Sequence, residues 1–587
     1  MTSSKPRSCS LVATALGTAA IASVCAIGGC GPATVASPAQ TPPAGSVAEA
    51  PTTPASFVAE QTALLKPLYV ASNHAWYQAS LTGKDDDFAK SREAENELNR
   101  FFADPKRFAA VESYRADRTV TDPLIKRQLE VLYRAMLGKQ VAPELLEQIT
   151  GIASEVEQAF NTYRGKIRGK EATQNEIKTT LRTSTDSAEL KAAWEAQKGV
   201  GPKVAPKLRR LVELRNQVAK RLGFRDFYAL RIAENEQDET QLLALFDELD
   251  QRTASSFARH KAEVDRRLAK RLGLETTELM PWHYQNPFFQ EPPAVFDTGL
   301  DGVYKKQDTL AVCRQFFGGV GLEIDDIIKR SDLYERPGKS PHAFCSDMDR
   351  EGDVRVLANI VPGLEWQSTM VHELGHAVYD KYVDHSLPWL LRTASHPLTT
   401  EGVAMMLDRL VANPIWAHAV GAVDEAARDA AVAEARAYQA FAPLQFSRWT
   451  QVMLRFERSM YAEPDQDLNE LWWTLVERYQ LLQRPAGRSA PDYASKIHLV
   501  IVPVYYHNYM MGDLFSAQVH EKLAEVQGKP PFESVYVGDP EVGEFLKTNI
   551  FAPGARYRWD ELTRRVTGKE LSAEAFARRF AESNTGG

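Results

Sequence analysis

From Phe57 to the C-terminus, apolar side chains recur at helical spacing, in long amphipathic stretches separated by short polar turns. Alternation at period two, the mark of a half-buried strand, is scarce. Its clearest instance is the run from Val354 to Val361, which predicts one short strand. Just after it, Met370, Leu374 and Val378 fall at i, i+4 and i+8, flanked by Val371 and Ala377. They predict an amphipathic helix from about Trp366 to Val383. A second helix is expected behind it, capped by Thr399 and Thr400 and closed by Pro414, with Glu401 in its first turn. The Ala-rich run from Ala426 to Ala442 reads as plain helix, and no fixed-period repeat breaks the pattern. The body is therefore expected to be mainly α.

The first of those helices carries chemistry. His372-Glu373-Leu374-Gly375-His376 places two imidazoles at i and i+4 on one helix face, about 6 Å apart at Cβ, within reach of a single Zn²⁺. Glu373 then lies beside the open coordination position, where it can take a proton from a metal-activated water. A hydrolytic zinc needs a third protein ligand. Glu401, 25 residues after His376, is the best placed candidate.

Composition narrows the class. The chain has 587 residues, 44% of them hydrophobic and 25% charged, enough for a large core in a globular protein. A net charge of −7 argues against a general nucleic-acid binder. Residues 1–29 read as a signal peptide, with Lys5 and Arg7 ahead of an apolar run, Leu11 to Ile27, too short for a membrane span. The run ends in Ile27-Gly28-Gly29-Cys30, which resembles a bacterial lipobox, so Cys30 is the expected lipidation site. Residues 30–56 are then a lipidated cysteine and a Pro/Ala/Ser/Thr-rich tether, and 57–587 the catalytic domain. The expected location is the cell envelope, on the membrane through an N-terminal lipid. An ordinary secretory signal is the competing reading. Of five cysteines, only Cys313 and Cys345 fall in the folded part, and sequence does not show whether they pair.

Beyond HELGH, several segments resemble the angiotensin-converting-enzyme family of zinc peptidyl-dipeptidases. They are His342-Ala343, 30 residues before His372, the paired-Trp stretch Leu471 to Leu475 with Arg478-Tyr479-Gln480, Ser495-Lys496-Ile497-His498, and Tyr506, Tyr509 and His520-Glu521. The resemblance implies a helical ellipsoid of two subdomains around a deep central cleft, with zinc at its floor, a β-sheet edge beside it and a lid of N-terminal helices. It also implies an oligopeptide substrate cut to release C-terminal dipeptides.

The same resemblance implies roles. His372, His376 and Glu401 would hold zinc, with Glu373 as the base. His498 and Tyr509 would donate to the oxyanion. His342 and Ala343 would bind substrate backbone, and Lys496, assisted by Tyr506, the C-terminal carboxylate. The chain also departs from the family pattern. The stretch from His498 to Tyr509 is one residue longer, which brings Tyr506 or His507 within reach of the same roles. The carboxylate-binding Gln after a Trp corresponds to Tyr284 or Gln285, in open register after Trp282. Met405 stands where the family has an Asp that orients a zinc-bound His, with Asp408 one turn on as the alternative. Val476 and Asn508 replace chloride-binding arginines, so chloride is not expected. Two other readings compete: an endo-acting oligopeptidase resembling thimet oligopeptidase, and a non-catalytic peptide-binding relative.

Overall fold

The computed structural model describes residues 53–340 and 342–581. The signal segment, Cys30 and nearly all of the tether lie outside the described residues. The first helix opens at Pro54, three residues ahead of the expected start of the body, with Thr53 as its N-cap in a reciprocal capping box with Ser56. Helices then dominate to the end of the chain. Strand is confined, among the described residues, to two antiparallel pairs: β1 (Gly165–Ile167) with β2 (Lys170–Ala172), and β3 (Phe344–Asp347) with β4 (Val354–Leu357). No helix among them is long and apolar enough to cross a membrane. The expectation of a mainly α architecture with a small sheet beside the HELGH helix holds.

The single predicted strand turns out to be half of a hairpin. β4 stops at Leu357 instead of running to Val361, and its register pairs Phe344 with Leu357 and Asp347 with Val354. The first helix, Pro54–Thr82, lies against this hairpin. Tyr77 packs with Phe344, Met348 and Leu357, and Asn73 donates to the carbonyls of Asp347 and Met348. Ala79–Gly83 ends this helix in a left-handed glycine, and any Cβ on Gly83 would sit 2.2 Å from the carbonyl oxygen of Gly338. The N-terminal helix is thus seated on the loop that leads into β3.

Three helices carry the centre of the molecule: Leu364–Lys381 with the HELGH motif, Pro397–Asp408, and His507–Gln527. Glu401 is the fifth residue of its helix, not a first-turn residue. Pro397 starts the helix one turn earlier than expected, and the cap is the ring of His396, whose Nδ1 accepts from the Leu398 N–H at 3.1 Å. Asp408 ends the helix. A 3₁₀ turn, Arg409–Ala412, follows, and Pro414 opens the next helix instead of closing this one.

Small residues let the three helices approach closely. A Cβ on Gly402 would lie 2.7 Å from the carbonyl oxygen of Gly512. Arg409, just after the second helix, makes a two-point ion pair with the fully buried Asp513 on the third, one arm at 2.6 Å. Packing and charge together fix the glutamate helix against the helix that carries Tyr509.

Candidate active site

His372 and His376 are 3% and 5% exposed, Glu373 2% and Glu401 1%, so the whole HELGH turn and its partner glutamate are in the core. The two Nε2 atoms converge to 3.2 Å, and Glu401 Oε2 lies 3.6 and 3.8 Å from them. The other nitrogen of each ring is already engaged. His372 Nδ1 bonds Asp408 Oδ2 at 2.8 Å and His376 Nδ1 bonds Thr400 Oγ1 at 2.7 Å. These contacts aim both Nε2 atoms inward, the usual arrangement for imidazoles that bind a metal. They also identify the orienting carboxylate: Asp408 takes that place, one turn beyond Met405.

The donor set fits zinc. Two imidazoles and one carboxylate, with ligand atoms within 4.8 Å of one another, form a His₂Glu triad. A tetrahedral ion about 2.0–2.1 Å from each nitrogen would set the Nε2–Nε2 separation near 3.4 Å, close to the 3.2 Å seen. Burial works to lower the His372 pKa, but the Asp408 hydrogen bond and charge overcome it and raise it to about 9. A divalent cation therefore competes with a proton for His372 Nε2.

Glu373 stands beside the triad. Burial pushes its carboxyl up to about 7, while the charge of His372 and the backbone N–H of Cys345 on β3 pull it back. A carboxyl poised near neutrality suits a general base. Cys345 and Cys313 are both buried and unpaired with each other, which answers the open question of a disulfide.

His498, Tyr506 and Tyr509 come together as a run of ring contacts, 5.2 Å from His498 to Tyr506 and 5.4 Å from Tyr506 to Tyr509. Burial raises the Tyr509 phenol well above its usual range, and the charges of Tyr505 and Glu401 add to it, which places the ring within electrostatic reach of the triad. Tyr505 completes the run at 5.2 Å from Tyr509 and senses Glu401 as well. Spacing had not singled Tyr505 out. His507 is not part of this group: its Nε2 bonds Gln237 Oε1 at 2.7 Å.

Lys496 is 6% exposed, and its ammonium donates to Gln290 Oε1 at 2.6 Å. The Tyr506 hydroxyl donates to the same oxygen at 3.3 Å. Burial pulls the Lys496 pKa down to about 7. Gln290 is thus the glutamine beside Lys496, and neither earlier candidate is. Gln285 bonds the carbonyl of Arg182 and the N–H of Ala294, and the Tyr284 hydroxyl is held by Asp265 and Lys261. The aromatic run ahead of Gln290, Phe288-Phe289, was the available signal, since Phe289 is buried in the core and Phe288 packs against it. His342 is exposed and Ala343 half-buried, both just ahead of β3.

A family model described as angiotensin-converting enzyme matches residues 49–276 and 288–583. The break between the two parts spans the stretch around Trp282 where the glutamine register was open, and Gln290 follows it. The angiotensin-converting enzyme of Mesocricetus auratus is 22% identical over 531 residues, 84% of this chain and 38% of that protein. That of Rattus norvegicus is 23% identical over 480 residues, covering 74% of this chain and 35% of that protein. The chain therefore spans less than two-fifths of these relatives' length.

Proposed function

The chain belongs to the angiotensin-converting-enzyme family, and from that premise we propose that it is a zinc metallopeptidase that releases dipeptides from the C-termini of oligopeptides. The observation that carries the peptidase reading is the convergence of His372, His376 and Glu401 with Glu373 buried on the same helical turn. The buried ammonium of Lys496, shared with Gln290 and Tyr506, supports the preference for a free C-terminus.

His372, His376 and Glu401 would hold the ion. When bound, zinc supplies Lewis acidity and lowers the pKa of a coordinated water. Glu373 takes the proton of the attacking water and returns it to the leaving amine. Tyr509 and His498 donate to the oxyanion that develops on the scissile carbonyl. His342 and Ala343, leading into β3, offer backbone groups to an extended peptide. Lys496 meets the terminal carboxylate, with Gln290 and Tyr506 completing its surroundings. Asp408 and Thr400 keep both histidine rings in register throughout.

The test is mass spectrometry of products from one peptide supplied as free acid and as C-terminal amide, each with and without a chelator. Chelator-sensitive release of C-terminal dipeptides from the free acid alone is expected. Equal internal cleavage of both forms would favour an endo-acting oligopeptidase. No cleavage of either would favour a peptide-binding relative. The sequence ahead of the fold supports export and lipidation at Cys30. Metabolic labelling with a fatty acid, lost in Cys30→Ser, is the expected result.

A further inference from the structure

Between His498 and Tyr509 the chain crosses a backbone feature that the reaction scheme leaves unexplained. Val504 is a β-branched residue, 1% exposed, yet it sits in the left-handed region at φ +56°. Cβ sterics make that conformation unfavourable by about 1–3 kcal/mol, so it persists only where the surroundings impose it. Two buried polar side chains, Arg215 and Glu457, hold the segment around it. Arg215, 5% exposed on the helix Gly201–Arg221, donates to the carbonyls of Leu499 and Val500 at 3.2 and 2.5 Å. Those carbonyls end the short helix His498–Ile501, where a cation also complements the helix dipole. Glu457, 2% exposed on the helix Glu425–Ala462, accepts from the Val504 N–H at 2.9 Å. The Arg215 arm is itself anchored, since it also donates to the Tyr461 hydroxyl at 3.1 Å, one turn along the helix from Glu457.

We propose that Arg215 and Glu457 are positioning residues that grip the segment Leu499–Val504 by its carbonyls and by its N–H. The grip holds Val504 in its strained turn and thereby sets Tyr506 and Tyr509 in register with His498. The inference rests on the peptidase reading for its catalytic consequence and on the contacts above for its structural one. The polarity of the two arms explains why neither can be replaced by a neutral apolar residue. An unpaired buried N–H or carbonyl is itself costly, so losing an arm releases the turn instead of leaving it in place.

The test compares Glu457→Gln, which keeps an acceptor oxygen, with Glu457→Ala, which removes it, and adds Val504→Gly, which adopts positive φ without strain. In the zinc-loaded full chain, Glu457→Ala is expected to lose tenfold or more in kcat at unchanged zinc content, and Glu457→Gln less than about twofold. Val504→Gly introduced into Glu457→Ala is expected to recover part of the loss. In a Tyr509→Phe background, Glu457→Ala is expected to cost little more in kcat, because the kcat effect of the grip is carried by the Tyr509 phenol, while Tyr506 acts on substrate binding. Where Glu457→Ala does not fold, Arg215→Lys, which keeps the charge but one arm of the fork, takes its place with the same expectations. Hydrogen–deuterium exchange of residues 498–509, read by mass spectrometry, should rise in each variant that loses an arm, with or without any peptidase activity. Unchanged exchange overturns the grip. Raised exchange with wild-type kcat, or a loss of equal size in the Tyr509→Phe background, overturns its catalytic role. A wild-type chain that cleaves no peptide overturns the peptidase reading instead.

Discussion

At the scale of single residues the site is a set of perturbed charges, and each perturbation has a consequence. Glu373 lies between two metal-binding positions without being one of them. Glu373→Gln is expected to bind zinc near stoichiometrically and to lose at least a hundredfold in kcat, as metal analysis beside steady-state kinetics would reveal. Retained activity in the metallated variant would end its role as base. Asp408 acts one step further out: Asp408→Ala leaves His372 Nδ1 without its acceptor and should weaken zinc about 10–100-fold in a chelator competition. Lys496 gives a pH dependence with a definite sign. Burial lowers its pKa to about 7, so its charge is present below that pH and is lost above it. KM for a free-acid peptide is expected to climb as pH rises through about 7, relative to KM for the amide. The ratio cancels titrations common to both substrates, that of Glu373 included. Lys496→Ala should remove the dependence and raise the free-acid KM tenfold or more, about 1.4 kcal/mol. A ratio flat with pH in the wild type would assign the carboxylate to another group.

At the scale of elements, the site comes together because the three helices that carry the triad and Tyr509 lie closer together than ordinary side chains permit. Periodicity in the sequence made the HELGH helix legible to within two residues at each end, Leu364–Lys381 against Trp366–Val383. It also found the helix behind it, but misplaced the start, because a proline at the first position and a histidine cap outweighed the two threonines. The contact between helices left no such trace. Gly402 and Gly512 look like helix-weakening residues until their backbones are seen to touch. The same substitution should therefore have opposite signs at two helical glycines. Gly402→Ala drives a methyl to 2.7 Å from a carbonyl oxygen and is expected to destabilise by about 1–3 kcal/mol and to weaken zinc. Gly151→Ala, in the exposed face of the helix Pro143–Thr162 with nothing within 4 Å, is expected to stabilise by about 0.5–1 kcal/mol. Chemical denaturation of the two variants measures both. A neutral Gly402→Ala would mean that the helices separate easily.

At the scale of the whole molecule, the two positions that replace arginines are filled by neutral groups. Val476 is buried, and Asn508 Oδ1 accepts from Gln237 at 2.6 Å while Gln237 also holds His507. The buried Lys198 ammonium lies 3.3 Å over the Phe288 ring, burial lowers its pKa to about 7, and the nearby carboxylate Asp492 is paired with Arg488. Burying an anion without a free cationic partner is unfavourable, so peptidase activity is expected to be independent of chloride when acetate replaces it at fixed ionic strength. Several-fold activation specific to chloride would show that another cation, Lys198 first among them, takes the ion. What the sequence by itself determined was what is local along the chain. Two histidines at i and i+4 must share a helix face, the glutamate between them must lie beside whatever they hold, and recurring apolar positions must form helices. The tertiary structure alone decided which distant groups complete each of these. Gln290 reaches Lys496 across 206 residues, Glu457 reaches Val504 across 47, and Asp408 displaces Met405 because it is the carboxylate that meets His372 Nδ1. Helical periodicity specifies the direction of a side chain relative to its own helix, but the angle and distance between helices follow from close packing at glycines and buried ion pairs, which no spacing along one chain records.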